Sequence, residues 1–355
     1  MTTNDADKKI PLMSDHAPRL SSEQQEILRR WQKKNRLRVS QEVKDTLKIK
    51  FDGEVLFDEP MAAHTHIKIG GKADVFLKPK SKEALLFAIK LANDNGIPYH
   101  FHGGGSNTLV RDGGIRGFVI CVIETLDDIT IVERCESHID ILASAGARFS
   151  RLIKLCQEEG IADIMSLTGI PGSVGGLVKM NAGIPSREIK DVVRNITIIT
   201  KEGEQQTLSR EHLDFEYRSL KLPRTHFILS VLFRFRDLSS PEDALAIMRQ
   251  HQEARVSKQP LEFPSLGSVF KNPQPLHRKD IATPAGKLIE EAGLKNIRIG
   301  GARISPKHAN FIINENEAKA SDVLSLISLI KDKVKQISQI ELETEIRILG
   351  EEACC

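Results

Sequence analysis

Gly103-Gly104-Gly105-Ser106-Asn107 and Gly169-Ile170-Pro171-Gly172-Ser173-Val174-Gly175-Gly176, the second running on to Asn181-Ala182-Gly183, govern the reading of this chain. Glycine lets backbone N–H groups approach an anion and point at it without a Cβ in the way. Two such loops, with a hydroxyl and an amide in each, can wrap a pyrophosphate from both sides. Either loop alone reads equally well as a tight turn, because glycine punctuates turns. The pair, with small polar residues inside each, points to a dinucleotide site.

The flanking segments alternate strand and helix. Residues 75–77 read as a strand, Ser81 as the cap of a helix stopped at Gly96, and residues 97–101 as a strand running straight into the first glycine loop. That is a usual ligand position in folds that mix helices and sheets. A second unit has strands at 129–132 and 139–143, then a helix expected to be capped by Ser150 and stopped at Gly160, then the second glycine loop. Strands at 192–200 and 227–235 follow with few helices between them, which favours an α+β arrangement. Beyond 238, Pro241 opens a helix, Thr283-Pro284 reads as a cap and first turn, and Ser321 reads as the cap of a longer helix. Residues 341–349 read as a last strand.

Composition narrows the class. The 355 residues are 28% charged and 40% hydrophobic, as in ordinary globular proteins, and suffice for two to three domains. A net charge of +3 argues against nucleic acid as the main partner. No apolar run reaches the length of a membrane span, and residues 1–20 carry no signal-peptide core, so a cytoplasmic protein is expected. The five cysteines show no metal-ligand spacing, and no metal is expected; Cys121 and Cys156 read as core thiols, and Cys354-Cys355 as an exposed end. Ser21 to Lys34, with Trp31, reads as a solvated helix of an N-terminal extension, residues 1–45.

Three further segments carry candidate chemistry. Prolines 260, 264 and 273 hold residues 258–273 extended, and Ser268 follows a glycine that leaves its hydroxyl approachable. A lone loop serine is by itself a turn residue. Strand alternation puts Glu341, Glu343, Glu345 and Arg347 on one face, which reads as solvated, with one carboxylate available to a cleft. Arg218, after Tyr217, reads on its own as a surface ion pair.

Taken in order, HTHIKIGGKAD at 64–74, the two glycine loops, Tyr217-Arg218-Ser219, GSVFKNP at 267–273, AGKLIEEAGLK at 285–295, KHANFIIN at 307–314 and Glu345-Ile346-Arg347 resemble the bacterial UDP-N-acetylenolpyruvoylglucosamine reductases, the MurB family, over about residues 50–350. The resemblance implies an α+β fold. Its first part would be a two-subdomain FAD-binding domain of the vanillyl-alcohol-oxidase type, residues 46–237, divided near 125/126. A C-terminal α+β substrate domain, residues 238–350, would follow. It implies non-covalent FAD reduced by NADPH, and UDP-N-acetylglucosamine enolpyruvate reduced to UDP-N-acetylmuramate by a monomer. By the same resemblance Ser268 is the proton donor, and Arg218 and Glu345 hold and polarise the substrate carboxylate. FAD would lie on Gly103, Gly104, Gly105, Ser106, Asn107, Gly169, Pro171, Gly172, Ser173, Gly175, Gly176, Ile69 and Gly70. Substrate would touch Tyr217, Lys258, Asn272 and His308. The short run from Tyr217 to Phe227 lacks the insertion carrying a mobile tyrosine, as in the family's shorter second subclass. Lys68 and His66 depart from the family's usual residues. Two other functions compete: a flavin oxidase, against which the absence of a covalent linkage motif weighs, and a nucleotide-sugar-binding protein without catalysis, against which Ser268, Arg218 and Glu345 weigh together.

Overall fold

The computed structural model describes residues 39–274 and 283–353. The expected helix around Trp31 and the Cys354-Cys355 end lie outside the described residues. Helix α1 (Gln41–Lys50) starts at Ser40, whose Oγ accepts from the Val43 N–H at 3.3 Å. Val39, Val43 and Leu47 are buried in the first core, so this helix crosses the 45/46 boundary and packs with the domain that follows.

The first subdomain is a four-stranded sheet in the order β1-β2-β5-β3, built from β1 (Gly53–Pro60), β2 (Lys72–Pro79), β3 (Tyr99–His102) and β5 (Ile115–Cys121). Helix α2 (Lys82–Asp94) is capped by Ser81, as read from sequence, its Oγ accepting from Ala84 N–H at 3.1 Å. β3 delivers the first glycine loop at its C-terminal end, ahead of β4 (Thr108–Val110).

The second subdomain is a five-stranded antiparallel sheet in the order β11-β10-β14-β7-β6. Its strands are β6 (Ile129–Cys135), β7 (His138–Ser144), β10 (Val193–Ile199), β11 (Gln205–Ser209) and β14 (Phe227–Phe235). Helices α3 (Phe149–Glu158) and α4 (Val174–Lys179) precede two short pairs, β8 (Gly183–Ile184) with β9 (Arg187–Glu188), and β12 (Phe215–Glu216) with β13 (Ser219–Leu220). Ser150 is not the α3 cap. The helix begins at Phe149, whose N–H donates to the Gly172 carbonyl at 3.0 Å, so the second glycine loop fixes that end. Helix α5 (Pro241–Lys258), capped by Ser240, packs against α3, and its Ala244 lies in the same core.

The C-terminal part has its own core around the sheet β15-β18-β17-β16: β15 (Ser265–Ser268), β16 (Arg298–Ile299), β17 (Ala302–Ile304) and β18 (Phe311–Asn314). Helices α6 (Ala285–Glu291) and α7 (Ala320–Ser338) flank it. Neither starts at its expected hydroxyl. The Ala285 N–H donates to Asn272 Oδ1 at 3.1 Å, and the Ala320 and Ser321 N–H groups donate to Asp112 Oδ1 and Oδ2 at 2.8 and 2.9 Å. Residues 341–349 are not one strand. Only β19 (Arg347–Leu349) is regular, and it leaves the C-terminal sheet to pair parallel with β4.

Candidate active site

Both glycine loops line a cavity of about 1290 Å³, and they also border a neighbouring one of about 690 Å³. The larger exceeds the usual volume of a single small-molecule pocket and has room for a cofactor beside a substrate. The loops touch each other. Ser106 Oγ donates to the Pro171 carbonyl at 3.0 Å, and a Cβ on Gly104 would stand 3.2 Å from Gly172 Cα. A side chain there would crowd the second loop and Ile123, so glycine suits the close approach. This backbone cradle, open to two chambers, fits a dinucleotide lying across it. Ser173, which caps α4 through the Gly176 N–H at 3.3 Å, and Asn107, Gly105, Gly169, Gly175 and Gly176 also line the larger cavity.

Ser268, Arg218, Glu345, Tyr217 and Asn272 line that same cavity. Ser268 ends β15 after Gly267, whose φ of +73° lies in the left-handed region that glycine tolerates. Asn310 fixes the next residues. The Val269 N–H donates to its carbonyl at 2.9 Å, the Phe270 N–H to its Oδ1 at 2.9 Å, and its Nδ2 to the Phe270 carbonyl at 2.8 Å. The 343–345 segment lies alongside, Glu345 N–H donating to the Val269 carbonyl at 2.8 Å. Asn107 of the first glycine loop donates Nδ2 to the Glu345 carbonyl at 3.2 Å and accepts the Arg347 N–H at 2.9 Å.

Arg218 is no surface ion pair. Its side chain is 14% exposed, with Nε 3.1 Å from Glu345 Oε1, Nη2 donating to the Gly183 carbonyl at 2.8 Å, and Nη1 3.7 Å from Glu188 Oε1. Nη1 is buried and has no hydrogen-bond partner among the described residues. Burial pushes the Glu345 carboxyl up from its ordinary value, and Arg218 and Lys271 offset that only in part. Glu341 and Glu343 do stay on the solvated side, paired with Lys335 and Lys271.

Four of the expected contact residues are not on the walls of the two cavities. Ile69 and Gly70 do not line either cavity: Ile69 is in the C-terminal core, its carbonyl accepting from Thr65 Oγ1 at 2.8 Å, while His66 and Lys68 of the same loop reach the cavity. Lys258 is exposed at the end of α5. His308 packs over Gly286, with Nδ1 accepting from Asn310 N–H at 3.2 Å. Conversely, Lys179, Arg224 and Arg255 line the cavity without having been singled out from sequence, and Arg347, read there only as part of a solvated strand face, lines it too. Arg255 lies against the second loop, its Nε 3.0 Å from where a Gly169 Cβ would be. Nothing in the local sequence separates these cations from surface charges.

Residues 73–209 match the family of FAD binding domains, and residues 259–349 match the C-terminal domain of UDP-N-acetylenolpyruvoylglucosamine reductase. The chain is 42% identical over 310 residues to the UDP-N-acetylenolpyruvoylglucosamine reductase of Syntrophus aciditrophicus, covering 87% of this chain and 96% of that protein. It is 39% identical over 318 residues to the Oceanobacillus iheyensis reductase, covering 89% and 99%. Among solved structures, that of the Thermus caldophilus reductase (MurB) superposes with a TM-score of 0.68 at 30% identity, covering 84% of this chain and 99% of that one. The FAD-binding domain followed by this C-terminal domain, and the identity shared along nearly the whole of these relatives, establish that the chain belongs to the UDP-N-acetylenolpyruvoylglucosamine reductase family.

Proposed function

We propose that this chain reduces the enolpyruvyl ether of UDP-N-acetylglucosamine to UDP-N-acetylmuramate in peptidoglycan precursor synthesis, with FAD on the glycine loops and NADPH as reductant. Arg218 carries the reading: a guanidinium held by Glu345 and the Gly183 carbonyl, with one buried donor unused, in the cavity that Ser268 lines. An unused donor of this kind suits a carboxylate, which arginine binds with charge-assisted hydrogen bonds.

FAD, which the two glycine loops would hold, would supply the hydride, drawn from NADPH, to the enolpyruvyl carbon remote from the carboxylate. Arg218 orients that carboxylate and opposes the negative charge that spreads onto it. Glu345, held toward its protonated form by burial, donates a hydrogen bond to the same group. Ser268 Oγ–H supplies the proton to the carbon next to the carboxylate. Serine is a weak acid in water, so this step depends on a positioned and partly desolvated partner. Tyr217, its ring 4.9 Å from the Arg218 guanidinium, braces the arginine, and Asn272 borders the substrate end. In this reading the chain is of the shorter subclass and acts as a monomer in the cytoplasm; the short run between Tyr217 and Phe227 supports the first of these.

The test is spectroscopic. NADPH added anaerobically to the FAD-loaded protein should bleach the flavin bands, and UDP-N-acetylglucosamine enolpyruvate should restore them. Bleaching without restoration would remove the substrate assignment. Failure to take up FAD at all would remove the cofactor assignment with it.

A further inference from the structure

Beyond Ser268 the chain has two edges. One faces the 343–345 segment: the Glu345 N–H donates to the Val269 carbonyl at 2.8 Å and the Lys271 N–H to the Glu343 carbonyl at 2.9 Å, on either side of an antiparallel bridge between Phe270 and Thr344. In such a bridge the N–H and C=O of the middle residue point away from the partner. Phe270 therefore turns both its polar groups toward the other edge, the side of β18. The backbone of β18 does not meet them. Its pairing with β15 slips in register between Ser265↔Ile313 and Ser268↔Phe311 and goes no further. Phe270 is buried, so its two groups need a protein partner.

Asn310 supplies one. Its Oδ1 accepts the Phe270 N–H at 2.9 Å and its Nδ2 donates to the Phe270 carbonyl at 2.8 Å, while its own carbonyl accepts the Val269 N–H at 2.9 Å. A side-chain amide sets an acceptor and a donor side by side, which matches the N–H and C=O of a single residue. Asn310 is itself held, 4% exposed and with its N–H donating to His308 Nδ1 at 3.2 Å. On the other side of Ser268, Gly267 gives little hold: its φ is +73°, and no atom lies within 4 Å of where its Cβ would be. The place of Ser268 is thus set from its C-terminal side, and Glu345 hangs from the same clamped stretch through the Val269 carbonyl.

We propose that Asn310 is a positioning residue of the reduction: its amide sets the place of the Ser268 hydroxyl and, through the Val269 carbonyl, of Glu345, without itself touching the group reduced. This rests on the reductase reading given above. The test uses the FAD-loaded full chain, reduced anaerobically with NADPH and then mixed with UDP-N-acetylglucosamine enolpyruvate, each half followed by stopped-flow absorbance. Asn310→Ala should slow flavin reoxidation about 10²-fold, the scale of a misplacement of about 1 Å, and leave flavin content, the rate of reduction by NADPH and the substrate KM near native. Asn310→Asp separates positioning from general loosening. Its ionised carboxylate sets an oxygen against the Phe270 carbonyl, whereas the protonated carboxyl regains one donor and one acceptor. Reoxidation of this variant, taken as a ratio to the native chain at each pH, should therefore recover as pH falls. The titratable groups on the elements packed around position 310 are His308, Lys271, Glu343 and Glu345, with Glu290 and Lys295 beyond His308; the native chain shares them, so the ratio removes their part. Native-rate reoxidation in Asn310→Ala would overturn the role, as would equal slowing of both half-reactions, or a ratio for Asn310→Asp that is flat in pH. The last of these decides even where Asn310→Ala does not fold. A native chain that NADPH reduces but the enolpyruvyl substrate does not reoxidise would remove the reductase reading and the role with it, and is seen before any variant is compared.

Discussion

Arg218 sits at φ +59°, a left-handed backbone that costs a side chain about 1–2 kcal/mol, and its guanidinium nonetheless reaches Glu345, the Gly183 carbonyl and the Tyr217 ring. Strain at a buried donor motivates a test of its function. Arg218→Ala is expected to cut turnover by about 10²–10³ while the flavin spectrum is kept; loss of flavin instead would make the residue a structural one. Ser268→Ala should lower kcat by about 10²–10⁴ and leave the reduction of bound flavin by NADPH at its native rate, a split that stopped-flow absorbance resolves. Because burial raises Glu345, its proton is present below its folded pKa and lost as pH rises through it. Turnover should therefore fall on the alkaline side, and Glu345→Gln should flatten that limb of the profile. Arg218, read on its own as a surface ion pair, was misleading in sequence, since nothing local distinguishes a buried guanidinium from a surface one. It became legible only in series with Ser268 and Glu345. Asn310, which fixes the chain after Ser268, could not be found that way, because its partner Phe270 is far off in sequence.

Element boundaries were legible where the cap is local. Ser81 and Ser240 each accept an N–H three residues on, and both helices begin where the sequence suggested. Two C-terminal starts were not legible, because their caps come from elsewhere: Asn272 for α6, and for α7 Asp112, in the loop after β4 of the first subdomain. Asp112→Ala removes both acceptors and should lower stability by about 1–2 kcal/mol in urea unfolding, with Ser321→Ala near neutral by comparison. Within the second sheet, Asp140 of β7 is 1% exposed and is held by Arg234 at 2.7 Å and Arg194 at 2.6 Å. Burial pushes its carboxyl up, but the two arginines outweigh this and hold it below its ordinary value. Its stabilising contribution is thus present above the unfolded carboxylate pKa and lost as pH falls through the lower folded one. The urea midpoint should stay level at neutral pH and drop in acid, and Asp140→Asn should reduce that acid dependence.

Across the whole described body, the first core joins both FAD-binding subdomains with α1 and α5, while the C-terminal core draws in Ile67, Ile69 and Leu109 from the first subdomain. The cavity lies where these parts meet, so a ligand filling it stabilises several elements at once. FAD at about 100 times its Kd should add about 2.7 kcal/mol, visible as a raised Tm that falls back when the flavin is removed. The sheet orders follow from apolar segments such as residues 227–235, which sequence reads directly; the return of the chain end to β4 does not, because β19 is only three residues long and its partner is remote. That return also dictates the order in which the site comes into being on the ribosome. The glycine loops are made first and can adopt their turns while synthesis continues, but the wall bearing Glu345 and Arg347 follows only after the intervening sheets and pairs with β4 once made. A nascent chain can thus present a flavin cradle well before the wall that closes the cavity exists, and a stall between the two leaves a cofactor seat open on that side.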